Sequence, residues 1–418
     1  MVKLRPLEQI FSITNNGTDK LVIFLGLPIR FGRTGFYKKI CSKLPVKKDK
    51  IIFNNFQGSL YGCNPKYIAE EIIKRKLPYD LVWFCKNLDN IDTSCFPEQV
   101  RLTTFKKKKD LKELASAKLV ISNVRMNLLI QLGWEKKKEQ KYLQTWHGSL
   151  GIKKIDEAVK YENYAKRDWC KVAHTDSSYT DYLLSDSKFE EDVFHKSFWY
   201  DGEILKYGHP RNDIFFKTVE EKQKIKEKVH NLLGIPQGKK ILLYVPSFRD
   251  DKRLYCYGLD TTKLQRALKE KTGDDWVVAI RMHPHLKKYS SQLFKFSESV
   301  VDASYYPDIQ ELLVSCDAAI TDYSSCIFDF MLGRKPGFIF ATDIEDFNTE
   351  RGFYYPLEST PFPVAINNEQ LVDNILNFDN DKYQKDIDNF LADKGCMEDG
   401  HASERVVDLI EKIMKEES

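Results

Sequence analysis

The 418-residue sequence has no CxxC pair among its nine cysteines, which lie scattered at Cys41, Cys63, Cys85, Cys95, Cys170, Cys256, Cys316, Cys326 and Cys396. An odd, dispersed set argues for a reducing compartment and against a disulfide framework or a structural zinc site. GxxxxGK[ST] is absent, which excludes a P-loop enzyme, and no GxGxxG follows the first apolar runs. HExxH and GxSxG are missing too. No apolar run reaches the roughly 18 residues of a membrane span. The opening "MVKLRPLEQIFSITNNG" lacks a continuous apolar core and a small-residue cleavage site, so a cytosolic chain, peripheral at most to a membrane, is expected. Net charge is also small: 65 Lys+Arg against 61 Asp+Glu leaves +4, enough to favour anionic partners but short of a dedicated nucleic-acid binder. The lysine runs 106–109 and 136–138 carry no interleaved aromatics for base stacking, which sets nucleic acid aside. They read as solvated faces or as attraction to an anionic surface.

What is present describes a soluble globular protein: 42% hydrophobic, 30% charged and 13% aromatic residues. The length predicts two domains of roughly 200 residues each. Apolar runs at 21–27, 50–56, 79–85, 100–105, 118–123, 141–148, 170–176 and 203–210 read as strands. Helical patterns lie between several of them, notably 64–76, with Asn64 as N-cap and Pro65 in the first turn. The pattern restarts near 215. Thr218 and Glu221 have capping-box spacing, and Gly234 is placed to end that helix. Strands at 239–246, 276–282, 299–304, 318–321 and 336–341 then alternate with helices at 260–271, 308–316 and 325–332. Such alternation predicts two doubly wound α/β domains, 1–215 and 216–400, followed by a helix in 401–418. A cleft is expected at the carboxyl ends of both sheets.

Polar groups just after predicted strands are therefore the site candidates. In "AAITDYSSCIFDF" a strand ends at Thr321, and the turn Asp322-Tyr323-Ser324-Ser325 leads into a helix. That is a recipe for holding phosphate, though serine N-capping alone explains it as well. In "YVPSFRDD", Arg249 stands where a guanidinium can grip phosphate by two bonds, or else pair with Asp250 or Asp251. "RMHPH" carries Arg281 and His283, with Pro284 holding His283 extended off the strand end. "KYGHPRND" puts Arg211 near the interdomain hinge, and "ERGFYYP" sets Arg351 among aromatics as a phosphate contact or a packing residue. "YLQTWHGSLGIKKI" places His147 at the end of a predicted strand, either as a core imidazole or as a reactive base.

Taken in order, "QTWHG", "GHPRND", "VPSFRDD", "RMHP", "TDYSSCIFDF" and "ERGFYYP" resemble the CDP-glycerol glycerophosphotransferase family, the teichoic-acid and capsule polymerases and primases. The resemblance spans about residues 140–360 and implies a GT-B-like fold with the donor held mainly in the second domain. It implies a CDP-glycerol or CDP-ribitol donor and a hydroxyl acceptor on a glycan or polyol-phosphate polymer, free or lipid-linked. CMP leaves, no metal or other cofactor is needed, and the enzyme works in the cytoplasm or at the inner membrane face. By motif position His147 resembles the base on the acceptor hydroxyl and His283 the partner at the donor phosphates. Arg249, Thr321, Ser324 and Ser325 resemble diphosphate ligands, with Arg211 in support. The loop Ser149–Ile152 departs from the Thr-Pro form common in the family. Two other readings share these features: a GT-B glycosyltransferase using a CMP- or UDP-sugar, and a non-catalytic nucleotide-alditol binding protein.

Overall fold

A computed structural model describes residues 11–16, 19–24, 27–32, 41–59, 61–104, 110–131, 133–159, 164–249 and 254–416. The chain opens with an antiparallel sheet of β1 (Phe11–Asn16), β2 (Asp19–Phe24) and β3 (Leu27–Gly32), in which Phe11 pairs with Phe24 and Asp19 with Gly32. The single strand expected over 21–27 is thus divided between two antiparallel strands, and residues 25–26 lie outside the described set. A uniform apolar run carries no mark of where the chain reverses.

Seven parallel strands follow: β4 (Lys47–Asn54), β5 (Asp80–Phe84), β6 (Val100–Thr103), β7 (Ala117–Ser122), β8 (Lys141–Gln144), β9 (Tyr182–Ser185) and β10 (Glu203–Lys206). Their order is β10-β9-β8-β7-β4-β5-β6. Ile51, Ile52 and Phe53 of β4 are all fully buried, as a parallel strand covered on both faces requires, so the sequence reads there as a continuous apolar run. The second parallel sheet holds β11 (Lys240–Val245), β12 (Trp276–Ile280), β13 (Val300–Asp302), β14 (Ala318–Thr321), β15 (Gly337–Phe340) and β16 (Val364–Ala365), in the order β13-β12-β11-β14-β15-β16. These are the two doubly wound sheets that the alternation predicts.

Two more local expectations fail. Residues 170–176 are not a strand but part of the helix Tyr164–Tyr179, and the strand comes afterwards as β9. Ala173, Asp176 and Ser177 within it, and Thr180 just after it, are buried, a helical spacing that the short polar–apolar mix hides. The helix Cys63–Lys74 is capped by Gly62, not Asn64. Asn64 lies inside the first turn, fully buried, and its amide is used elsewhere. By contrast, Thr218 and Glu221 form the expected capping box, and Gly234 ends that helix in the left-handed region at φ 65°.

The last helix, Ala402–Lys415, crosses back to the first sheet. Its Val406, Val407, Ile410 and Ile413 are fully buried in one cluster with Ile51, Phe53 and Ile68. Truncating any of these to Ala is expected to cost about 2–5 kcal/mol. Among the described residues, no helix is long and apolar enough to cross a membrane.

Strand order reverses between β4 and β7 in one sheet and between β11 and β14 in the other. Crevices outside the carboxyl ends of strands at such reversals are where open α/β sheets bind ligands. The loops that carry the motifs emerge at both reversals.

Candidate active site

On the first sheet, His147 follows β8 and is half-buried. Its Nδ1 lies 2.7 Å from the carbonyl oxygen of Asn123, which follows the adjacent β7. Asn123 is itself held by the tip of β4: its Nδ2 donates to Asn55 Oδ1 at 2.6 Å and its Oδ1 accepts from the Phe56 amide at 2.9 Å. Phe56 packs edge-on against the imidazole at 5.2 Å, and the Trp146 ring lies 4.5 Å away on a tilted plane. Burial, reinforced by the positive charges of Arg211 and Lys153, pushes His147 down to about 4, so it is neutral at physiological pH. A carbonyl only accepts, so Nδ1 carries the hydrogen and Nε2 the lone pair.

The loop before it is strained and braced. Trp146 has a φ of 51°, unusual for a bulky residue. The Asn64 side chain donates to the carbonyls of Thr145 and Trp146 at 3.0 and 3.1 Å, and its oxygen accepts from the Arg211 amide at 3.1 Å. At Gly148 a Cβ would lie 2.9 Å from Trp146 Nε1, so a side chain there would push the indole off its seat.

On the second sheet, Asp322 and Arg249 form the core of the crevice floor. Asp322 accepts from the Ser247 amide at 2.8 Å and from Arg249 Nη1 at 2.8 Å. Arg249 Nε and Nη2 form a two-bond pair with Asp343 at 2.7 and 2.8 Å, under the faces of Tyr323 and Phe347. Arg249 is therefore a buried strut that fixes the loop after β11 to the turn after β14; its guanidinium is already engaged by two carboxylates. Thr321 likewise donates its hydroxyl to the Val245 carbonyl at 2.5 Å. Ser324 and Ser325 are half-buried at the start of the helix Cys326–Met331, with no side-chain cap made by Ser325.

Arg281 and His283 follow β12. Arg281 is half-buried and donates to the carbonyls of Ala303 and Tyr306 at 3.3 and 2.5 Å; among the described residues it has no carboxylate partner within ion-pair distance. Burial pulls it down to about 10. His283 stacks on Phe248 at 5.6 Å, and burial together with the His285 and Lys153 charges pushes it down to about 4.

The two halves are joined at several points. Arg211 makes a buried pair with Asp329 at 2.9 and 3.1 Å and donates to the Gly148 carbonyl at 2.6 Å. Lys66 meets Asp308 and Glu311 at 2.7 and 2.8 Å. The loop 148–155 is strapped to 351–355. Lys153 bridges Phe353, the Lys154 amide donates to the Gly352 carbonyl at 3.1 Å, and the Tyr354 amide to the Ile152 carbonyl at 2.7 Å. Arg351 is exposed and its Nε donates to the Lys154 carbonyl at 2.9 Å, while the Tyr355 hydroxyl donates to the Leu150 carbonyl. At Gly151 a Cβ would lie 3.0 Å from the Ser325 Cβ, so the loop after His147 touches the serine turn of the other domain.

The structure thus gathers His147, Arg281, His283, Ser324 and Ser325 at the facing strand ends. Arg211, Arg249, Thr321, Asp322 and Arg351 brace the loops around them. Motif reading does not single out Lys153, Asp329, Asp343 or Tyr355. Asp329 had a visible signal, a lone acid in the otherwise apolar helix "CIFDFM". Of the lysine runs, Lys136 pairs with Asp181 at 2.7 Å and Lys137 donates to the carbonyls of Leu44 and Ala115, so those two are structural; 106–109 lie outside the described residues.

Two parallel Rossmann-like sheets with facing strand ends define a GT-B-like fold. The sequence profile of the CDP-Glycerol:Poly(glycerophosphate) glycerophosphotransferase family matches residues 36–412, and the chain belongs to that family. It is 32% identical over 387 residues to a teichoic acid poly(glycerol phosphate) polymerase of Staphylococcus epidermidis, covering 89% of this chain and 52% of that protein. A protein of the same name from Bacillus spizizenii is 33% identical, with 88% and 94% covered. The chain therefore spans about half the length of one of these relatives and nearly all of the other. The wall teichoic acid polymerase TagF superposes with a TM-score of 0.79 at 30% identity, over 92% of this chain and 93% of that one.

Proposed function

We propose that this chain transfers a polyol phosphate, glycerol phosphate or ribitol phosphate, from a CDP-alditol to a hydroxyl of a teichoic-acid-type polymer and releases CMP. The observation that carries the reading is the neutral imidazole of His147, with Nδ1 on the Asn123 carbonyl and Nε2 without a partner among the described residues, followed by a loop that touches the serine turn of the second sheet through Gly151. Nε2 takes the proton of the acceptor hydroxyl as its oxygen forms a bond to the β-phosphorus. The bridging P–O bond breaks, and its electron pair leaves with CMP. His283, uncharged at neutral pH, donates an N–H to the departing phosphate, and Arg281, Ser324 and Ser325 bind the diphosphate oxygens. Displacement at phosphorus depends mainly on in-line positioning and charge stabilisation, which this donor set supplies. The domain split near 215 then separates an acceptor side from a donor side, with the terminal helix belonging to the first.

Incubation with CDP-glycerol or CDP-ribitol and a defined polyol-phosphate oligomer tests this. CMP release and a product heavier by one polyol phosphate are expected. Sugar transfer from a nucleotide sugar, or tight CDP-alditol binding with no CMP release from any acceptor, would replace it with one of the other two readings. A lipid-linked acceptor would be favoured if the same oligomer on a lipid anchor turns over faster than the free one.

A further inference from the structure

The Lys153 side chain takes no part in the chemistry assigned so far. It lies in the strapped loop of the first domain, its backbone bridged to Phe353 of the second, two residues from the point where Gly151 meets Ser325. Among the described residues its ammonium has no hydrogen bond and no carboxylate within ion-pair distance, while the neighbouring Arg211 and Arg249 are both tied to acids. The charged and titratable groups that face it are Asp322, Arg351, Arg249 and Cys326, and its own charge is felt by both His147 and His283. A half-buried ammonium with no acid partner among the described residues, in the loop that follows His147 and meets Ser325, is suited to an anionic ligand.

We infer that Lys153 is a phosphate ligand of the donor, reaching from the acceptor-side domain to the β-phosphate that is transferred. The inference rests on the reading of the chain as a CDP-alditol transferase. It gives the donor site a part that neither domain holds alone: the second domain binds the nucleotide, and the first completes the charge around the reacting phosphorus. Burial, opposed by Asp322 and reinforced by Arg351 and Arg249, pulls the free lysine down to about 8. The arrival of a diphosphate would raise it and keep the ammonium charged.

Titration calorimetry on the whole protein with CMP and with CDP-glycerol tests this, because only the second ligand has the β-phosphate. Lys153→Met is expected to bind CMP as the parent does and CDP-glycerol about ten- to a hundredfold more weakly. Lys153→Arg should restore most of the donor affinity and move the alkaline loss of kcat/KM to higher pH. Circular dichroism and the melting temperature report whether each variant is folded. Unchanged CDP-glycerol binding by folded Lys153→Met, or equal weakening of CMP, would overturn the assignment. If the parent protein binds neither CDP-glycerol nor CDP-ribitol, the transferase reading itself falls, a result distinguishable from a variant that binds as the parent does.

Discussion

The carbonyl oxygen of Asn123 lies 2.7 Å from Nδ1 of His147, and that contact fixes which imidazole nitrogen can accept a proton. His147→Ala removes the acceptor and is expected to lower kcat by about a hundred- to ten-thousandfold. CDP-alditol affinity, measured by calorimetry, should change little, since in the proposed mechanism the donor is held mainly across the crevice. Full activity in the folded variant would remove His147 as base.

The pH profile of kcat/KM reports the free enzyme's groups. In the proposed mechanism His147 acts deprotonated, so activity should rise as pH climbs through about 4. If Lys153 binds the donor phosphate as inferred, it acts protonated and activity should decline above about 8. A broad plateau between those limits is expected. An acid limb near 6.5 would mean that burial does not depress His147 in solution.

Stability has a different pH dependence, set at the hinge. His209 Nε2 lies 3.0 Å from Glu190 Oε2, both buried, and burial pushes Glu190 up to about 8 from 4.5. A raised folded-state value means that its contribution is complete below about 4.5 and is lost as pH rises through 8. The depressed histidines act the other way, but only below about 6.5. Between pH 6.5 and 8 the melting temperature of the parent should therefore fall. Glu190→Gln should flatten that slope, as calorimetric scans can show; an unchanged slope would count against a protonated Glu190.

Much of this was legible in the sequence, for a definite reason. Strands such as β4 and β14 are buried on both faces, so their ends stand out as the limits of apolar runs, and His147, His283 and Ser324 follow those ends directly. Partners are another matter. Arg211 and Asp329 are 118 residues apart, and nothing in "GHPRND" announces which acid will meet the arginine. Arg249 illustrates the cost of that silence. The motif supports a phosphate grip, but Asp322 and Asp343 from two other loops occupy the guanidinium. The helix 164–179 does not stand out in the sequence because buried positions described in it are small or polar (Ala173, Asp176, Ser177), and their spacing makes sense only with the surrounding Arg125 network.

Arg211 and Asp329 form the test of the hinge. The pair is buried at 2.9 and 3.1 Å and links the Gly148 carbonyl to the helix after the serine turn. Removing one partner leaves the other charge uncompensated, so Asp329→Asn should cost about 3–5 kcal/mol in urea unfolding. A surface pair would cost about 1 kcal/mol or less, and that result would refute the burial argument.

The strap between 148–155 and 351–355 should govern how the acceptor hydroxyl meets the donor. Tyr355 gives its hydroxyl hydrogen to Leu150, and Tyr354 holds Ile155 and Ile152. Tyr355→Phe keeps the ring, which packs at 5.4 Å on Phe189, and deletes one hydrogen bond, about 1 kcal/mol. The fold should survive. What changes is the placement of Lys153, set by this loop, and of His147 just before it, and misplacement of a reacting group lowers turnover more than it lowers ground-state binding. kcat is therefore expected to fall several-fold with CMP binding unchanged. On the proposed reading CMP binds across the crevice, so a parallel loss of CMP affinity would show that the strap supports the second domain instead.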